Sequence, residues 1–205
     1  MTEELAEKTE KVQLEGLIEN DRVIISDKKG IEEFYQTSYI GTIEKTSNGQ
    51  EILILGPIEV LLLCERNRIL IWEDNDRSKI LLDFESLLTY FTQFDDRLWH
   101  KYIIYSDLRK RGYIVRTGYG NGIDFRVYKR GADFEKDSAR FLIFPVFEGN
   151  PIELRDLDKM SRVAMSSRKD LIVATVDRLS KPIYYSVKKF QILNKEDSND
   201  EQNVR

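Results

Sequence analysis

The chain has 205 residues, 41% of them hydrophobic and 33% charged, with a formal net charge of −4, and that length can bury a sizeable core as one domain or as two small ones. One cysteine, Cys64, and one histidine, His100, exclude disulfides, Cys-type zinc sites and histidine metal triads on count alone. No apolar run approaches the roughly 18 residues of a membrane span, and the start, MTEELAEKTEK, is acidic and polar where a secretion signal is basic and then apolar; a cytoplasmic location with no membrane partner is expected.

Residues 1–13 are poor in apolar side chains and are expected to be frayed. LEGLIENDRVIISD predicts two short strands around Glu19-Asn20-Asp21. KKGIEEFYQTSYIG predicts a short helix led by Gly30, with Ile31, Phe34 and Tyr35 on one side. Thr42–Leu55 reads as a hairpin turning at Ser47-Asn48-Gly49, and Pro57 stands at a permissive first-turn position before the helix formers of PIEVLLLCERNR. Cys64, inside VLLLC, is a small core residue on this reading. Ile69–Trp72 is a strand with Glu73–Asp76 as its polar exit. Leu82–Arg111 is helical in two pieces, with Leu87, Leu88, Phe91, Leu98, Tyr102 and Tyr105 apolar, and His100 packed or half-exposed beside Trp99. Residues 1–98 thus form a small α+β domain with an acidic surface.

From Tyr105 the composition changes. YSDLRKRGYIVRTGYGNGIDFRVYKRG is dense in Tyr and Arg. Gly112 suits a left-handed helix C-cap, and Tyr113–Thr117 and Asp124–Tyr128 read as two strands joined by GYGNG. Alternation places Asp124, Arg126 and Tyr128 on one face of the second strand, the polar one, and Phe125 and Val127 on the other. Lys129–Lys136 is a charged loop, and Ala139–Phe147 is an almost continuously apolar strand. Pro151–Lys169 predicts a helix burying Leu154, Leu157, Val163 and Ala164, with Arg162, Met165 and Lys169 on one side. LIVATV, the turn DRLSKP and IYYSVKKFQIL follow, before a disordered acidic tail at 194–205. The second domain is expected to span 99–193. Residues 101–193 hold 19 Lys and Arg against 11 Asp and Glu, and the rest hold 13 against 25. A local basic field of this kind is what phosphate binding needs, although an unevenly solvated surface gives the same count.

Taken in order, DLR.RGY.V.TG, DFRVY.RG, RFLIFPV, RVA.S.RK.L..A.VD and YY resemble the archaeal tRNA-splicing endonuclease family, specifically in this half and more loosely across DRVIISDKKGI. The resemblance implies a mixed α+β fold, with a small α+β N-terminal domain followed by a restriction-endonuclease-like C-terminal domain built on a mixed sheet. It also implies metal-independent cleavage of bulge-helix-bulge sites in precursor tRNA, without cofactor. In that chemistry a tyrosine removes the proton of the ribose 2′-hydroxyl, a histidine protonates the 5′-oxygen, and a lysine offsets charge in the transition state.

The family's tyrosine falls at Tyr128, its lysine at Lys169 and its histidine at Ser138. Serine is a poor acid, so the chain resembles the structural, non-catalytic subunit of a heteromeric enzyme, pairing with a catalytic chain as an α2β2 heterotetramer. The same residues also read as structural, Tyr128 as a plain strand end and Lys169 as a helix cap stabilised by the dipole. Arg162, and Arg130 in KRG, are the RNA-binding candidates. Asp177, Tyr184, Tyr185 and Val187 are the interface candidates, with Asp177 the lone acid of a turn that also holds Arg178 and Lys181. Two alternatives stay open: a self-sufficient homodimeric endoribonuclease with Ser138, Asp137 or water replacing the acid, and a stand-alone RNA-binding module.

Overall fold

The computed structural model describes residues 13–75, 78–120, 122–147, 149 and 151–188; the tail expected at 194–205, and residues 1–12 of the expected frayed start, lie outside these. The chain builds two mixed sheets and a few short helices, the α+β class expected.

Six strands make the first sheet, ordered β3-β4-β2-β1-β5-β6. β1 (Leu14–Glu19) and β2 (Arg22–Ile25) form a hairpin that turns through Asn20 at φ 55°, a conformation asparagine tolerates well. Asp27 accepts a hydrogen bond from the Lys29 amide at 2.8 Å and caps α1 (Lys28–Gly30), which continues as a π-helical stretch, Ile31–Thr37. β3 (Thr42–Lys45) and β4 (Glu51–Leu55) form the second hairpin, and α2 (Pro57–Glu65) leads to β5 (Ile69–Asn75), which pairs parallel to β1. α2 buries Val60, Leu61, Leu62 and Leu63 in succession, so it is enclosed on several sides by sheet and helices.

One strand departs from expectation. Of the exit expected at Glu73–Asp76, Asp76 lies outside the described residues and Glu73–Asn75 is strand: β5 runs to Asn75, and β6 (Ser78–Leu82) returns antiparallel, with Ile71 opposite Leu82. Ile80-Leu81-Leu82 is too short for its periodicity to separate strand from helix, and the open edge of β5 decides. α3 (Phe84–Thr92) starts only after Asp83, whose carboxylate accepts from the Ser86 amide at 2.9 Å.

α4 (Leu98–Lys110) joins the two sheets. Leu98, Tyr102, Ile104, Tyr105 and Leu108 sit in one hydrophobic core shared with Leu61 and Phe91 on one side and Val127, Ile143 and Ala174 on the other. Each fully buried large apolar side chain contributes roughly 1.5–3 kcal/mol. Gly112, at φ 85°, ends the helix as expected: its amide donates to Arg109 O at 3.0 Å, and that of Tyr113 to Leu108 O at 3.1 Å. The second sheet is ordered β11-β10-β9-β8-β7. It comprises β7 (Ile114–Gly120), β8 (Ile123–Tyr128), β9 (Phe141–Phe147), β10 (Asp170–Val176) and β11 (Pro182–Val187); only β9 and β10 pair in parallel, linked by α5 (Leu154–Ser166).

The buried stripe of α5 differs from the one expected. Met160 and Ala164 pack on Ile123, Leu142 and Leu171, whereas Leu154, 83% exposed, and Val163 face outward. The helix also stops before Lys169, because Arg168 takes φ 55° and the amides of Arg168 and Lys169 donate back to Met165 O and Ala164 O. No helix among the described residues is long and apolar enough to cross a membrane.

Candidate functional site

Strand topology gathers the three positions singled out by the sequence. β8 and β9 are antiparallel while β9 and β10 are parallel, so the last residue of β8 and the first residues of β9 and β10 meet at one end of the sheet. The amide of Arg140 donates to Val127 O at 2.8 Å, the amide of Asp170 donates to Arg140 O at 3.1 Å, and the Arg140 guanidinium pairs with Asp170 at 2.8 Å. Tyr128, the segment 138–140 and Lys169 are thereby consecutive across the sheet end.

Their side chains diverge. Tyr128 is not on a solvated face as alternation predicted, because a loop folds over it. It is 5% exposed and packs with Ile114, Ala139, Tyr39, Ala132 and Phe134. Phe134 sets its ring edge-on to Tyr128 with centroids 6.4 Å apart, and does the same to Tyr35 at 5.8 Å and Tyr39 at 5.2 Å. The Arg116 guanidinium lies 4.6 Å from the Phe134 centroid and donates to Gly41 O at 2.5 Å. Tyr35 donates its hydroxyl to Glu135 at 2.8 Å; burial, and then this carboxylate, raise the tyrosine's pKa. The loop between β8 and β9 is thus held down by residues 35–41 of the first sheet's unit. Sequence reasoning placed Tyr35 on one side of its short helix but assigned no role to Phe134, Arg116 or Tyr39; the aromatic spacing in FYQTSY and GADFE was the available signal.

Ser138 is exposed and lines a shallow depression of about 380 Å³ with Lys129, Arg130, Gly131, Ala132 and Asp137. Asp137 is engaged within the loop: its carboxylate accepts from the Asp133 amide at 2.8 Å, and its own amide donates to Asp133 O at 2.6 Å. Lys169 is half-buried, and its ammonium donates to Ser167 O at 3.1 Å, the helix-end cap that the dipole favours. It lines a different depression, with Ser161, Met165 and Val187, which adjoins the one lined by Arg162 and Leu157. Arg162 is exposed and donates to Asp158 one turn back at 2.8 Å. His100 is half-buried, its ring 4.8 Å from that of Phe147 at the far end of β9, and is not brought to Ser138.

The interface candidates divide. Tyr184 does not join Tyr185 on an outer surface, since neighbours in a strand point to opposite faces. It packs under α4 and donates to Asp107 at 2.8 Å; burial first, and this carboxylate second, push its pKa well above the ordinary tyrosine value. Tyr185 is 54% exposed and Val187 half-buried, on the other face of the edge strand β11. Asp177 closes its own turn by accepting from the amides of Leu179 at 2.9 Å and Lys181 at 2.8 Å. The turn therefore projects Leu179, 75% exposed, in place of an acid.

Two mixed sheets bridged by a shared helix, with Tyr128, Ser138 and Lys169 at one sheet end beside a charged loop, define a two-domain α+β protein. Comparison with known proteins makes this particular. Residues 14–88 match the model of the tRNA intron endonuclease N-terminal domain, and residues 98–185 that of the tRNA intron endonuclease catalytic C-terminal domain. The chain belongs to the tRNA intron endonuclease family, which places its function in tRNA splicing. It is 35% identical to a tRNA-splicing endonuclease of Methanococcus maripaludis over 170 residues, 83% of this chain and 90% of the relative. It is 33% identical to one of Thermococcus onnurineus over 177 residues, 86% of this chain and 96% of the relative. With one of Sulfurisphaera tokodaii it shares 31% identity over 176 residues, covering 83% and 94%.

Proposed function

We propose that this chain is a structural subunit of a tRNA-splicing endonuclease, assembling with a catalytic chain as an α2β2 heterotetramer that cuts bulge-helix-bulge sites in precursor tRNA. The observation that carries the reading is Ser138 at the loop position beside the ends of β8 and β10, where the family resemblance calls for histidine. Cleavage by the neighbouring 2′-hydroxyl forms a P–O2′ bond and breaks P–O5′; one group must take the 2′ proton and another must give a proton to the leaving oxygen. A serine hydroxyl is far too weak an acid for the second task, and loss of a general acid costs about 10²–10⁴-fold. The burial of Tyr128 supports the same reading, since a tyrosine packed under a loop is poorly placed to take a ribose proton as it stands. In this reading Tyr128 and Lys169 are structural.

What the chain contributes is surface. Arg130 and Lys129 are exposed beside the Ser138 depression, and they supply phosphate-binding charge. Tyr185, Val187, Leu154 and Met165 flank the open edge of β11 with apolar area, the kind of edge a second chain covers. A self-sufficient enzyme would need Ser138, Asp137 or a water as proton donor, and the Asp137 carboxylate already accepts from the Asp133 amide within its turn.

The test is Tyr128→Phe in this chain, mixed with the catalytic chain. Single-turnover cleavage of a bulge-helix-bulge RNA should stay within about twofold of the unsubstituted mixture, whereas removal of a working general base would lower it by about 10²-fold or more. A loss of that size would contradict the reading.

A further inference from the structure

Between the last turn of α4 and β11, on the sheet face that α4 packs against, lies a cleft of about 220 Å³ that the catalytic positions do not use. Its floor is apolar, made by Val127, Ile143 and Ile172. Its walls are two tyrosines, each with a guanidinium over its ring: Arg130 lies 5.3 Å from the Tyr113 centroid, and Arg111 lies 5.9 Å from that of Tyr184. Asp107 fixes one wall by accepting from the Tyr184 hydroxyl and from Arg111 Nε, both at 2.8 Å. Arg130 has no carboxylate partner among the described residues, and it also lines the depression of Ser138.

An apolar floor rejects hydrated and charged groups, while stacked Arg–Tyr walls favour a flat π system with negative charge at its edge. A nucleotide has both parts. The volume is below the roughly 300–1,000 Å³ of clefts for larger ligands and suits a single base. We propose that this cleft receives one unstacked base of the RNA strand that passes the Ser138 depression, with the adjoining phosphate on Arg130. The proposal rests on the reading of precursor tRNA as the ligand but needs neither cleavage nor a second chain. An aromatic or acidic side chain from a protein is the competing occupant. Arg130, shared between the cleft and the Ser138 depression, favours the continuous phosphate chain of RNA, which reaches both at once.

The experiment uses the full chain and a short single-stranded RNA carrying 4-thiouridine, irradiated and analysed by peptide mass spectrometry, with binding followed in parallel by fluorescence anisotropy at fixed salt. Crosslinks are expected at Tyr113 or Tyr184. Arg130→Gln is expected to weaken binding about tenfold, as loss of a stacked cation and its phosphate contact would, and Arg130→Lys to recover part of that. Uridine monophosphate should protect the cleft from crosslinking and inorganic phosphate alone should not. Crosslinks confined to other surfaces, full protection by inorganic phosphate, or Arg130→Gln binding as the unsubstituted chain does would overturn the proposal. So would protection of Tyr113 from hydrogen exchange by a protein partner but not by RNA. Because no step depends on cleavage, a negative result leaves the structural-subunit reading in place, and inactivity of the mixed chains leaves this one.

Discussion

Phe134 is the residue on which the site's present shape depends. It touches Tyr128 on one side and Tyr35 and Tyr39 on the other, with Arg116 beside it. Replacing it with alanine removes a half-buried ring and its edge-on partners. We expect Phe134→Ala to destabilise the fold by about 2 kcal/mol, a fall in melting temperature of roughly 4–8 °C at this chain length. It should also speed hydrogen exchange in the amides of 129–140 more than elsewhere; uniform acceleration would mean that the ring supports the core and not the loop. Tyr128 and Lys169 were legible in the sequence as positions, but their conformations were not. Strand alternation assigns Tyr128 a face and says nothing of what folds over it, and Lys169 is turned by a left-handed Arg168 that no propensity favours.

Among the elements, the β7–β8 hairpin is the most constrained. Its register shifts between Thr117 and Gly120, and a Cβ at Gly118 would lie 2.0 Å from the backbone oxygen of Ile123. Backbone cannot give way there without loss of pairing, so Gly118→Ala should cost at least about 3 kcal/mol, read in the midpoint of urea unfolding with its slope unchanged. A cost below 1 kcal/mol would show that the bulge relaxes. The hairpins, the long apolar strand and two helix ends followed from local chemistry: Pro57 and Gly112 each act where their type predicts, whereas the cap at Asp83 was read as helix interior. β6 escaped notice because three apolar residues fit helix or strand alike, and the stripe of α5 was misassigned by one face because Leu154 and Val163 look like core yet point outward.

At the scale of the molecule, α4 makes the two sheets one cooperative body through a core that runs across both. That helix also concentrates buried tyrosines. Burial raises the pKa of Tyr102, of Tyr105 and, from β11 beneath the helix, of Tyr184 above the ordinary value of 10, with Glu65 adding at Tyr102, Glu59 at Tyr105 and Asp107 at Tyr184. The folded chain then keeps protons that the unfolded chain loses. Stability is fully present below pH 10 and is lost as pH rises past it. Tyr184→Phe should flatten the dependence of stability on pH between about 10 and 12 by about one proton per chain; an unchanged slope would show that Tyr184 ionises as freely folded as unfolded.

The family assignment leaves one claim for experiment, that this chain organises cleavage without performing it. A labelled bulge-helix-bulge RNA, incubated without added metal, should remain intact with this chain alone and be cut when the catalytic chain is added. Robust cleavage by the isolated chain, abolished by Tyr128→Phe, would contradict the account and show that the loop over Tyr128 opens and that another group does the work of the missing histidine.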